Sequence, residues 1–157
     1  AYGNSRFAPY SEQFFVGGAN SVRAFNVREI GPGTYRSASL GRSYVEQTGE
    51  VKVQANVEYR PHLVGSLYGA LFLDAGNVWT LHSDSSRPGS QFHFTNFFKE
   101  LAFGTGVGIR YDIGFFMLRL DWGIGLHVPY ETGRSRLYNI RHFRDAQALH
   151  LAIGLPF

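Results

Sequence analysis

Apolar and polar side chains alternate with a period of two along most of the chain after residue 50. Five segments show the pattern, at residues 51–60, 67–79, 101–112, 116–127 and 147–157. A period of two is typical of β-strands that present one apolar face and one polar face. Polar stretches rich in Ser, Gly, Asp and Pro separate some of these segments. The pattern therefore predicts an all-β, antiparallel fold of about five strands.

The lengths of the strands and connections narrow the fold class. Each segment has roughly the 9–11 residues of a tilted transmembrane β-strand. The connections at 61–66 and 113–115 are short, whereas those at 80–100 and 128–146 are long. Short turns at one end and long loops at the other are characteristic of outer-membrane barrels. We expect residues 51–157 to form about five strands of a transmembrane β-barrel, preceded by a long ordered loop at 1–50.

The polar face of the predicted sheet combines charges with glycines. Bulky charged residues share it with five glycines, which are Gly104, Gly106, Gly108, Gly123 and Gly125. Glycine in a strand marks a place where another backbone approaches closely. This face resembles a barrel lumen with a segment packed inside, although a soluble sandwich or lipocalin-like barrel also alternates. Since the smallest membrane barrels use about 8 strands, the remainder would come from preceding sequence or from another chain.

Composition changes this picture little. Hydrophobic residues make up 44% of the 157 residues, aromatic residues 16%, and there are 19 glycines. No apolar run approaches the roughly 18 residues of a membrane helix. The net charge of +3 is spread among interspersed bases and acids, which argues against nucleic-acid binding. There is no cysteine, and no pair of histidines has metal-ligand spacing. We expect no cofactor, no metal and no enzymatic activity.

Aromatic residues and two acid–base pairs are further features of the strands. Tyr59, Tyr111, Phe115, Phe116 and Phe157 fall at the short-turn end, and Trp79 falls near the other. They predict an aromatic girdle at one membrane interface, with Trp79 near the other. Arg110 and Asp112 on one strand would neighbour Arg119 and Asp121 on the next. We expect a structural ladder of cross-strand pairs there.

The N-terminal loop contains the sequence GGANSVRAF at residues 17–25. It resembles the loop-six signature of the BamA/TamA superfamily, whose members fold or translocate proteins at bacterial and organellar outer membranes. Val22, Arg23 and Phe25 match the family core V-R-G-F. Ala24 replaces the family glycine, so a positive φ is not expected at this residue.

The resemblance extends over nearly the whole chain. Residues 56–60 and 72–79 resemble the next two strands of the family. The last strand resembles a C-terminal insertion signal, carried by His150, Ala152, Leu155 and Phe157. The resemblance implies that the chain is the last third of a barrel of about sixteen strands. Residues 1–50 would then be extracellular loop six, which folds into the lumen.

The same resemblance predicts a site and a function. Arg23 is expected to bond Glu58 and Asp74, with Phe25 packed beside the glycines. The implied protein inserts or exports other proteins in the bacterial outer membrane through a lateral seam at its last strand, with its C-terminus periplasmic. Its partners would be nascent outer-membrane proteins, the lipid bilayer, accessory lipoproteins or periplasmic subunits, and the N-terminal remainder of the barrel. A passive pore or structural barrel is the alternative, and the sequence leaves open a BamA-like or a TamA-like branch.

Overall fold

The chain forms one antiparallel β-sheet. The computed structural model describes residues 8–36, 47–133, 138–140 and 146–154. The strands are β1 (Val51–Tyr59), β2 (His62–Val64), β3 (Leu67–Trp79), β4 (Ala102–Asp112), β5 (Met117–His127) and β6 (Gln147–Gly154). Their order is β1-β3-β4-β5-β6, and β2 pairs with β3. The predicted all-β antiparallel fold is confirmed, with the short β2 added where the sequence indicated only a turn.

Two short 3-10 turns lie wholly within the described residues, Tyr10–Glu12 and Phe97–Lys99. No helix in the described ranges is long and apolar enough to cross a membrane. In the N-terminal loop, isolated β-bridges join Phe14 to Gly49 and Val16 to Ile30. These bridges give the loop a defined fold before it meets the sheet.

The two faces of the sheet have opposite chemistry. One face exposes large apolar side chains, each 42–78% accessible: Val57, Leu71, Leu73, Val107, Ile109, Leu120, Trp122, Leu149, Leu151 and Ile153. The other face holds Asp74, Arg110 and Asp121, none of which is accessible to solvent. A soluble sheet buries its apolar face instead. This arrangement is that of a barrel wall whose outer face meets lipid and whose inner face is polar.

The core lies between the inner face of the sheet and the N-terminal loop. It is a cluster of buried apolar side chains from the loop, from β3 and β4, and from the β5–β6 connection, namely Val16, Val22, Ala24, Phe25, Ile30, Val78, Ala102, Val128, Ile140 and Ala146. Half of these residues come from the loop at positions 16–30. The loop is therefore the packing partner of the inner face, which we call the lumen face.

The aromatic residues at the short-turn end are accessible, as a girdle requires. Tyr59, Tyr111 and Phe115 are exposed and Phe116 is half-buried, whereas Phe157 lies outside the described residues. The expectation for Trp79 is wrong, because this side chain is fully buried. Rings from the β3–β4 connection cover it, and its Nε1–H donates to Glu100 at 2.6 Å. The β3–β4 connection folds back over the end of β3, so the Trp79 ring packs against protein and not at the membrane interface.

Candidate functional site

The segment at residues 17–25 folds into two consecutive turns that present Arg23. The Gly18 N–H donates to the Phe25 carbonyl at 2.8 Å, and the Phe25 N–H donates to the Val22 carbonyl at 3.1 Å. Gly17 has a φ of +105°, and a Cβ there would collide with the Asn26 carbonyl group. Glycine is therefore required at the point where the chain closes on itself. This closure fixes the direction of the Arg23 side chain.

Arg23 bonds both acids that the sequence assigned to it. Its Nε donates to Asp74 Oδ2 and its Nη2 to Asp74 Oδ1, each at 2.8 Å. Its Nη1 forms an ion pair with Glu58, and its backbone N–H donates to Asp74 Oδ2 at 3.0 Å. A planar guanidinium can make this two-pronged contact, whereas an ammonium cannot. One loop residue thus joins β1 to β3.

The environment of Arg23 keeps it charged although it is 4% exposed. Its guanidinium carbon lies 3.7 Å from the centroid of the Phe72 ring, a cation–π contact. Burial alone would lower the pKa of Arg23, but the hydrogen bonds to Asp74 and Glu58 outweigh it and raise the pKa above its ordinary value. The site is therefore a permanent cation between two acids.

A second buried arginine, Arg110, completes the charge cluster, and the sequence placed it in the β4–β5 ladder but not beside Glu58. Arg110 donates to Glu58 through Nε at 3.2 Å and Nη2 at 3.0 Å, and its Nη1 lies 2.5 Å from Asp121 Oδ1. Arg60 also pairs with Glu58, at 2.6 Å. Glu58 is therefore shared by three arginines. The polar position of Arg110 on β4 was visible, but its reach to β1 was not.

The expected ladder between β4 and β5 is only partly present. Arg110 pairs with Asp121 across the strands, and Arg119 contacts Asp121 on its own strand at 3.3 Å. Asp112 takes no part in it, so its predicted pairing is wrong. Its Oδ1 accepts the Gly114 N–H at 2.7 Å instead, which caps the tight β4–β5 turn. The Asp112 carboxylate therefore stabilises the turn and does not pair with a base on β5.

Polar side chains of β1 hold the turn that precedes Arg23. Asn56 Nδ2 donates to the Ser21 carbonyl at 2.8 Å and to Asp74 Oδ1 at 2.7 Å. The Ser21 hydroxyl donates to Gln54 Oε1 at 2.9 Å. Gln54 and Asn56, two alternate residues of β1, therefore both bond the loop at Ser21, and Asn56 also bonds Asp74, the partner of Arg23. These contacts also went unassigned in the sequence, where Asn56 and Gln54 were only polar positions.

The glycines of β4 and β5 let the loop backbone lie against the sheet. A Cβ at Gly123 would lie 2.7 Å from Ala24 Cα, and one at Gly125 would lie 2.9 Å from the Phe25 ring. A Cβ at Gly104 would collide with the Ala24 side chain. Phe25 thus packs beside the glycine positions.

The backbone of Ala24 does not have a positive φ. Arg28 is the only described non-glycine residue that does.

The last strand also reaches the loop. His150 Nε2 lies 3.0 Å from the Arg23 carbonyl oxygen, and Arg119 on β5 donates to the Ala19 carbonyl at 3.2 Å. Ala152 opposes Arg119 in the β5–β6 register. The other two residues of the expected insertion signal, Leu155 and Phe157, lie outside the described residues. The loop segment thus contacts every long strand of the sheet.

This cluster can bind and orient a loop. It contains Arg23, Arg60, Arg110 and Arg119 against Glu58, Asp74 and Asp121, so its acids are matched by basic partners. Within the described ranges, no group of three His, Cys, Asp or Glu side chains could hold a metal ion. Its chemistry is that of charge-assisted hydrogen bonds with fixed geometry.

Together, the sheet and the site define a class of protein: a transmembrane β-barrel wall that carries an internal loop anchored on its lumen face. The family model of the Omp85 superfamily domain matches residues 1–155, and the chain belongs to the Omp85 superfamily. This match confirms the relationship to BamA and TamA that the sequence predicted. Proteins of this superfamily lie in outer membranes, and the family in general inserts or translocates outer-membrane proteins.

Proposed function

We propose that this chain forms the closing part of a barrel that inserts or exports outer-membrane proteins. The observation that carries the proposal is the loop held across the lumen face by Arg23, Glu58 and Asp74. A passive pore contains a water-filled channel, whereas here a loop is bonded across the lumen face. A buried charge left without its partner costs about 3–5 kcal/mol, so the bonded loop position is strongly preferred over a released one.

The last strand is the second element of the proposal. In the described part of the chain, β6 pairs with β5 along one edge only. The other edge would meet the first strand of the barrel's N-terminal remainder and form a seam. An open strand edge can template an incoming strand through backbone hydrogen bonds. Nascent outer-membrane strands are the partners that this edge would bind, with the lipid bilayer beside it.

The lengths of the connections support a proposed orientation in the membrane. The long connections lie at one end of the sheet, and the turns before β3 and β5 lie at the other. Since outer-membrane barrels have short periplasmic turns and long extracellular loops, the end of β6 would face the periplasm. Periplasmic subunits or lipoproteins would then approach the seam from that side. The outer membrane in question would be bacterial.

The proposal is tested in the full-length protein reconstituted into lipid vesicles. The change is Arg23→Ala, and the readout is the rate at which an unfolded model barrel acquires protease resistance in the vesicles. We expect the rate to fall at least tenfold, because the loop leaves its position on the lumen face. The matched control is Arg87→Ala, which removes an arginine that pairs with Asp84 and donates to the Thr48 carbonyl but has no bond to Arg23, Glu58 or Asp74.

Two results would contradict the proposal. One is insertion by the wild-type protein no faster than in empty vesicles, which would favour a passive pore or structural barrel. The other is an equal rate for Arg23→Ala and Arg87→Ala when both proteins fold. Folding is checked by the gel mobility of the unheated barrel, which separates a defective machine from one that did not assemble.

A further inference from the structure

A side-chain hydrogen bond joins the last strand to the N-terminal loop. We propose that His150 is a positioning residue that couples the place of β6 in the sheet to the docking of the loop. Its Nε2 lies 3.0 Å from the Arg23 carbonyl oxygen, across 127 residues of sequence. A carbonyl oxygen can only accept, so the His150 Nε2–H donates this hydrogen bond.

The Arg23 peptide links the two sides of the lumen face. Its N–H donates to Asp74 on β3, and its carbonyl accepts from His150 on β6. The carbonyl reaches this place because β5 carries Gly123, where a Cβ would lie 2.6 Å from the Arg23 carbonyl carbon. The side chain of Arg23 adds its bonds to Glu58 and Asp74. One residue is therefore held by β1, β3 and β6 together.

The hydrogen bond from His150 depends on where β6 lies in the sheet. β6 pairs with β5 and is the last strand of the described sheet order. A displacement of β6 away from β5 carries His150 with it and withdraws the donor from the Arg23 carbonyl. That carbonyl belongs to a residue that is 4% exposed, and a buried acceptor without a donor is unfavourable. A bound loop thus favours a seated β6, and a seated β6 favours a bound loop.

Coupling of this kind is reciprocal. Release of the loop must loosen β6 by the same factor by which displacement of β6 loosens the loop. This inference does not rest on the proposed function, because it concerns two parts of the resting barrel. Its test therefore uses no substrate, and an inactive insertase could still show the coupling.

The experiment measures amide hydrogen exchange of the full-length protein in vesicles. Exchange is followed in peptides that cover residues 18–26 of the loop and 147–154 of β6. His150→Leu removes the donor at similar volume, and we expect loop exchange to rise about threefold to tenfold, as the loss of one hydrogen bond supports. His150→Gln carries an N–H at a similar reach and is expected to restore protection. Leu149→Ala, on the exposed face of β6, controls for general weakening of the strand.

The reciprocal arm uses Arg23→Ala. We expect it to raise exchange in residues 147–154, and we expect His150→Leu to add little to it, because a released loop no longer holds the residue 23 carbonyl beside His150. Unchanged loop exchange in His150→Leu, or equal exchange in the Leu and Gln variants, would overturn the proposal. If His150→Leu does not fold, His150→Asn replaces it, since its shorter side chain leaves the amide out of reach. Equal protection in the Asn and Gln variants would then overturn the inference.

Discussion

The N-terminal loop and the β3–β4 connection are held in place by different interactions. The N-terminal loop is fixed to the lumen face by buried ion pairs and by contacts with glycine positions. The β3–β4 connection at residues 80–101 is fixed by rings around Trp79, where the Phe92 and Phe97 centroids lie at 5.4 and 5.5 Å. Its own backbone closes on itself, with Thr80 bonded to Ser90 and Phe92 bonded to Thr80.

Because the forces differ, the N-terminal loop and the β3–β4 connection depend on the sheet in different ways. Aromatic packing tolerates small shifts in position. The β3–β4 connection therefore requires only that the Trp79 ring be present for its own rings to pack against. Bonds between buried charges have fixed geometry and are costly when half-made. The N-terminal loop therefore has one docked position that depends on all five long strands at once. Substitutions in the two regions are expected to differ in size and in how far their effects spread.

The largest effect is expected from Asp74→Ala. This change leaves Arg23 buried without its principal acceptor, since Asp74 accepts three hydrogen bonds from that residue. The free energy of unfolding should fall by about 3–5 kcal/mol, measured by urea titration of the full-length protein in vesicles. Asp84→Ala is the matched control, because its partner Arg87 is an arginine of the partly accessible β3–β4 connection. A loss of equal size in both variants would contradict the comparison.

A smaller and local effect is expected from Trp79→Phe. The phenylalanine ring still packs against Phe92 and Phe97, but the hydrogen bond from Nε1 to Glu100 is lost. A hydrogen bond to a charged group contributes roughly 1.5–3 kcal/mol. Limited proteolysis should show faster cleavage within residues 80–101 and unchanged cleavage within 17–30, which lie away from Thr34 and Thr48, where the connection bonds the N-terminal loop. Faster cleavage within 17–30 as well would show that the effect spreads to the Arg23 site.

The sequence predicted the strands and their faces because period-two alternation is a local signal. It missed β2, since His62–Val64 is too short to show any period. It also missed the burial of Trp79, because the path of the β3–β4 connection depends on rings far along the chain. The contacts of Arg23 came from family resemblance. The bond from Arg110 to Glu58 crosses from β4 to β1, and no local pattern fixes the strand register that permits it.

Gly125→Ala tests how closely the loop must approach the sheet. The added Cβ would lie 2.9 Å from the Phe25 ring and 3.0 Å from Ile140. Overpacking of this kind costs about 1–3 kcal/mol, and a second change, Phe25→Leu, should recover part of it. Gly154→Ala is the control, because its Cβ would meet Arg119 at an ordinary 3.5 Å. Unfolding midpoints in urea provide the measurement, and equal midpoints for both single variants would refute the close contact.

The smallest effect is expected from acid titration of the β3–β4 connection. Hydrogen bonds from Ser86 and Arg87 lower the pKa of Asp84 from 3.8 to about 2. A carboxylate with a lowered folded-state pKa stabilises the fold above pH 3.8, and this stabilisation is lost as the pH falls through about 2. The group is near the surface, so the contribution should stay below about 1 kcal/mol. Wild-type and Asp84→Asn unfolding curves should differ slightly at pH 6 and converge at pH 2. A difference that persists unchanged at pH 2 would show that the carboxylate charge is not its source.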